Sequence, residues 1–199
     1  MKQPLESVHM TVILGLILTF IMTFAVASVG YSSAMDLYQL PVIVRWLHVI
    51  SGIMWIGLLW YFNFVQIPNM PNIDEDKRPA ITQVIAPAAL FWFRWGEMWT
   101  IVTGLILAAM NGYLVDAITL GLSSGTAQHS MIGIGMWLGT IMWANVWFII
   151  WPNQKIALGI DGAEGDKAAA GRTAMLFSRT NTMLSMPMLW AMVSAQNLF

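Results

Sequence analysis

Arg45 and His48 lie three residues apart near the start of an apolar run, Pro41 to Val65, that is long enough to cross a bilayer. That spacing puts both side chains on one face of a helix. An ionisable residue inside a membrane helix costs free energy and is by default a functional residue. His129 stands at the mouth of a later apolar run, and His9 lies at the opposite end of the first one. The pattern predicts a site in which His48 and His129 hold a metal, as axial ligands of a haem iron, with Arg45 against a propionate. Gly52, one turn beyond His48, leaves room for a flat macrocycle to approach the backbone. The plainer alternative is that His48 is a hydrogen-bonded packing residue.

A second set of polar residues occupies the other end of the same apolar segments. Arg94 and Glu97 are three apart in Phe91-Trp92-Phe93-Arg94-Trp95-Gly96-Glu97. Asn145 and Gln154 fall on a later run, and Arg179 and Asn181 on the last. An arginine with amides suits a planar anion rich in donors and acceptors, which makes this group a candidate substrate site. The alternative is a set of ion pairs and hydrogen bonds that fix helix packing, with Arg179 the expected partner of Glu97.

Composition dictates the elements that must carry these residues. The chain has 199 residues, of which 58% are hydrophobic and only 10% charged. A soluble domain carries about 25% charged residues, so the class is integral membrane. A net charge of -1 argues against a nucleic-acid partner. The absence of cysteine removes disulfides, thiolate chemistry, iron–sulfur clusters and covalent haem attachment. A haem here must be non-covalent, of the b type. The 11 Trp and 16 Met fit interfacial belts and packing filler.

A spanning helix needs about 20 mostly apolar residues. Five segments meet this: Met10–Tyr31, Val42–Val65, Ala88–Met110, Met131–Trp151 and Ala174–Ser194. The expected fold is an all-α integral membrane protein, one domain over 1–199, built as a bundle of five transmembrane helices. The first segment also has features of a signal peptide, with Lys2 before it and Ala25-Val26-Ala27 as a cleavage-like triplet; its long apolar core favours a retained helix. Lys2, Lys77, Arg78, Lys155, Lys167 and Arg172 all fall on one side of this arrangement, and only Arg45 falls on the other. The basic side is cytoplasmic. The amino terminus is then inside, and the 32–41 and 111–130 connections are outside. His48 is expected roughly 9 Å below the outer face, at about 1.5 Å of rise per residue, on the same side as His129. Gly135 and Gly139 form a close-packing face, and Pro187 is expected to kink the last helix.

Four strings, in order, carry a family resemblance: Arg45-Trp46-Leu47-His48-Val49-Ile50-Ser51-Gly52-Ile53-Met54-Trp55-Ile56-Gly57; the Phe91–Glu97 string; Asn145-Val146-Trp147-Phe148-Ile149-Ile150-Trp151-Pro152-Asn153-Gln154; and Ser178-Arg179-Thr180-Asn181-Thr182-Met183-Leu184-Ser185-Met186-Pro187. Together they resemble the membrane domain of the bacterial membrane-bound urate oxidase (urate hydroxylase) family. The Trp-Leu-His opening also resembles a broader group of membrane proteins with a helix-borne histidine, among them haem-dependent protoporphyrinogen oxidases and copper-resistance proteins. The family implies about eight spans and a carboxyl-terminal cytochrome c domain; this sequence has five spans and no cysteine. What the resemblance implies is a multi-pass protein of a bacterial inner (cytoplasmic) membrane with redox chemistry. Three functions compete: a haem b protein passing electrons at the outer face, to cytochrome c or quinone; a urate-oxidising enzyme that needs a separate acceptor; and a non-catalytic subunit of a larger respiratory or photosynthetic complex. A transporter is the weakest reading, since no inverted repeat is visible.

Overall fold

The computed structural model describes residues 4–28, 40–122 and 125–198, and all the elements among them are helical. The chain divides into two compact units, Met1–Ile43 and Val44–Phe199. In the first unit, α1 (Val8–Ser28) is a single apolar helix. It runs through the Ala25–Ala27 triplet. Its expected end at Tyr31, and most of the 32–41 connection, lie outside the described residues.

Four long helical segments build the second unit. The rod α2 (Leu40–Asn72) is followed by α3 (Ala86–Met110), the short α4 (Leu114–Ile118), the rod α5 (Ala127–Leu158) and α6 (Lys167–Asn197). Three helices, Val8–Ala25 of α1 together with α2 and α5, are long and apolar enough to cross a membrane. The expected bundle of five has this coarser counterpart: α3 and α6 are long enough, but Arg94 and Glu97 in α3 and Lys167, Arg172 and Arg179 in α6 lower their apolar character.

The helices outrun their expected limits, because hydropathy marks the membrane and not the helix. α5 continues through polar Asn153, Gln154 and Lys155 and stops at Gly159, whose φ of 69° places it in the left-handed region that a helix terminus uses. α6 starts seven residues early because the Asp166 carboxylate caps it, accepting from the amides of Ala168 and Ala169 at 2.9 and 3.0 Å. α6 runs unbroken through Pro187. The 111–130 connection contains α4, an element too short to leave a hydropathy signal.

Wide turns interrupt the helices at Tyr61–Gln66, Ala80–Ile85 and Val146–Ile150. Each is followed after one residue by a proline: Pro68, Pro87 and Pro152. A proline has no N–H for the carbonyl four residues back, and its ring crowds that carbonyl. The turn opens instead, so that Ile67 donates to Phe62 O, Ala86 to Ile81 O and Trp151 to Val146 O.

The apolar core lies where the four helices meet. Trp55 and Leu59 of α2, Phe93 of α3, and Met142, Val146 and Ile150 of α5 are all buried. α5 and α6 share the most extensive contact, and Gly135 makes it close: a Cβ there would come within 3.1 Å of Met192 Cε. The outer surface is apolar as well. Ile53, Trp92 and Phe148 are more than half exposed, as expected of side chains that face lipid.

Candidate functional site

His48 is half-buried and points from α2 against α3. Its Nδ1 lies 3.0 Å from the Thr100 carbonyl oxygen and 3.2 Å from Thr103 Oγ1. A carbonyl only accepts, so Nδ1 carries the proton. Gly104 makes room for the ring: a Cβ at that position would stand 2.9 Å from His48 Cε1. Among the described residues no hydrogen bond uses Nε2.

The imidazole forms part of the wall of a cavity of about 550 Å³ between α2, α3, α5 and α6. Gly52, Thr100, Gly104, Gly139 and the thioethers of Met136 and Met192 also line it, and its surface is almost wholly apolar. Its size falls within the range of small-molecule and cofactor sites.

His129 is placed elsewhere. Its Nδ1 lies 3.3 Å from Asp116 Oδ2 of α4, and its ring stacks on Tyr113 with centroids 5.9 Å apart. It lines a second, polar cavity of about 270 Å³ with Arg45, Asn111, Tyr113, Gln128 and Gln196. Of the four residues expected at one cofactor site, the structure therefore groups His48 with Gly52 and Arg45 with His129. Burial raises the pKa of the Tyr113 hydroxyl, and the positive charge of Arg45 opposes that rise. The hydroxyl stays a neutral donor at physiological pH.

The second polar set is only partly gathered. Asn145 Nδ2 donates to Asn181 Oδ1 at 2.8 Å, and Asn181 Nδ2 donates to the Met142 carbonyl at 2.9 Å, tying α5 to α6. Arg94 stacks on Trp151, its guanidinium carbon 3.2 Å from the ring centroid. Glu97 is fully buried against the Trp55 indole, but among the described residues neither its carboxyl oxygens nor Gln154 Oε1 completes a hydrogen bond of good geometry. The expected Glu97–Arg179 contact does not form: Arg179 is exposed and makes no ion pair among the described residues. With α6 packed through Asn181, a short residue, the next position but one turns away from the core. None of these six residues lines either cavity. Among the described residues no group of three or more His, Cys, Asp or Glu could hold a metal ion by itself.

Sequence reasoning missed the vestibule residues Asn111, Gln128 and Gln196, which are polar residues at helix ends with no signal beyond that position. It also missed Thr100 and Thr103, although threonines one turn apart on an apolar helix are a usable sign of a polar partner on the next helix.

Residues 111–198 match the urate oxidase N-terminal family model. This urate-oxidase-like segment covers less than half of the chain, from the end of α3 through α6, and includes the α5–α6 pair and two of the four resembling strings. No curated protein and no solved structure matches the chain.

Proposed function

We propose that this chain is a membrane redox protein that holds a non-covalent haem b in the apolar cavity, with His48 as its protein axial ligand. One observation carries the reading: an imidazole whose Nδ1–H is fixed on the Thr100 carbonyl, with Nε2 left for a ligand, in the wall of an apolar cavity of about 550 Å³. Ligating histidines are held in this way, the second nitrogen bound to a carbonyl that sets tautomer and ring orientation. The residues fit the group. Gly52, Gly104 and Gly139 keep the walls flat, and no charged side chain intrudes on the apolar space. A bound haem would supply one-electron chemistry. The chain's part is to orient the imidazole, exclude water and bring the cofactor near the end of the bundle that carries Arg45 and His129.

In this reading α3 and α6 cross the bilayer along with α1, α2 and α5. The amino terminus is cytoplasmic, the membrane is the inner membrane of a bacterium, and the acceptor is a cytochrome c or a quinone. A second reading, oxidation of a urate-like substrate with a separate acceptor, draws on the family match over residues 111–198. The polar residues expected to bind such a substrate lie outside both cavities, so the haem reading has the stronger geometric support.

Optical spectra of protein purified from haem-replete cells, oxidised and reduced, test the proposal. A Soret band is expected in the wild type and in His129→Ala, and its loss in His48→Ala. Wild-type protein without a Soret band, or a His48→Ala protein with an unchanged one, overturns it.

A further inference from the structure

The polar vestibule stands directly beyond the apolar cavity on the same four structural elements. On α2, Arg45 precedes His48 by three residues; on α5, His129 and Ile132 precede Met136; on α6, Ala195 and Gln196 follow Met192; on the α3 side, Asn111 follows Leu105 by six. Every helix thus passes from apolar lining to vestibule lining within one or two turns. A ligand filling both spaces has an apolar body and a polar edge.

The vestibule chemistry sets the sign of that edge. Arg45 is exposed and forms no ion pair among the described residues, so its charge is available. Tyr113 adds a hydroxyl, and Asn111, Gln128 and Gln196 add amides. Two of these amides are already anchored: Asn111 Nδ2 donates to the Leu107 carbonyl and Gln128 Nε2 to the Ala195 carbonyl, at 2.8 and 2.9 Å. Among the described residues the carboxylate beside this vestibule is Asp116, which lies 3.3 Å from His129 Nδ1. A guanidinium and neutral donors at the mouth of an apolar cavity recognise a carboxylate.

We infer that the vestibule is a carboxylate site that takes the propionates of the macrocycle, so that Arg45 and Tyr113 orient the cofactor and His129 belongs to this site and not to the iron. The inference rests on the proposed haem reading and adds to it which edge of the ring faces the vestibule. His129, held by Asp116 and stacked on Tyr113, fixes the position of the Tyr113 ring.

The test compares haemin with haemin dimethyl ester, whose propionates carry no charge. Both are titrated into apoprotein and followed by the Soret band in wild type, Arg45→Gln and Tyr113→Phe. Wild type is expected to bind haemin about tenfold more tightly than the ester, and Arg45→Gln to lose about that factor for haemin while leaving the ester unchanged. Tyr113→Phe is expected to lose a smaller part of the same difference. Equal binding of haemin and ester by wild type overturns the inference, as does an Arg45→Gln effect of the same size on both. If both bind through His48 in that case, the haem reading survives alone. If neither binds wild type, both readings fall.

Discussion

At the scale of single residues, His48 is defined as much by what is missing opposite it as by its partners. Gly104 supplies the space and Thr100 the acceptor, and both come from α3. Gly104→Ala would place a methyl 2.9 Å from His48 Cε1, closer than such contacts stand. The ring must then move off the Thr100 carbonyl. The expected cost is about 1–3 kcal/mol of stability, with loss or broadening of the Soret band. Gly15→Ala, in α1, is the control, because no atom lies within 4 Å of its Cβ position, and the substitution is expected to be neutral or slightly stabilising. Denaturant titration in detergent, followed by helical circular dichroism, reads both. A Gly104→Ala protein as stable as Gly15→Ala, with an unchanged spectrum, would show that the imidazole does not pack there.

At the scale of elements, prolines and amides shape the half of the unit away from Arg45 and His129. The wide turns lie within α2 and α5 and directly ahead of α3, before Pro68, Pro152 and Pro87, and the turn in α2 carries the buried Asn63, whose Nδ2 donates to Ser178 Oγ at 2.7 Å. The Asn145–Asn181 bond and the Asn181 bond to Met142 fasten α5 to α6 where both helices are apolar. Asn181→Ala leaves the Asn145 amide without its partner and removes the second of two bonds that the Met142 carbonyl accepts, the Val146 N–H remaining, at an expected cost of about 1–2 kcal/mol. Thr180→Ala, one position along on the exposed face, is expected to stay within about 0.5 kcal/mol of wild type. Unfolding free energies measured in mixed micelles check the pair. Equal effects would mean that the buried amide network contributes nothing beyond an exposed side chain.

At the scale of the whole molecule, the apolar exterior and the placement of charge together set the orientation expected in a bilayer. Lys77, Arg78, Lys155, Lys167 and Arg172 fall at one end of α2, α3, α5 and α6, and Arg45, Tyr113, His129 and Gln196 gather at the other. The basic end is expected on the cytoplasmic side. The sequence contains no cysteine, so single introduced cysteines report without background. Glu75→Cys and Glu164→Cys should resist a membrane-impermeant maleimide in intact spheroplasts and react after lysis, whereas Leu122→Cys, which is highly exposed, should react in both. Labelling of Glu164→Cys in intact spheroplasts would reverse the orientation and put the vestibule in the cytoplasm.

Hydropathy alone determined the helical class, the apolar segments that became α1, α2 and α5, and the ends on which charge collects, because transfer from water to lipid depends on composition and not on contacts. It also marked His48, since an imidazole in such a run is conspicuous wherever the helices go. Of the four strings that carried the resemblance, the two at 145–154 and 178–187 lie in the segment that matches the family model. Cap and turn chemistry at Gly159 and Asp166, and the prolines behind the wide turns, were present in the sequence but hidden beneath the apolar signal. The separation of His48 from His129 was decided by tertiary structure alone. Two histidines on the same side of the membrane look able to share one ligand along the chain, and only the approach of α3 to α2, and of α4 to the start of α5, gave one a carbonyl and an apolar cavity and the other a carboxylate and a polar vestibule. Glu97 shows the same limit: its burial was legible from its neighbours, but the side on which Arg179 lies depends on how α6 is rotated about its axis, which is set by packing between helices.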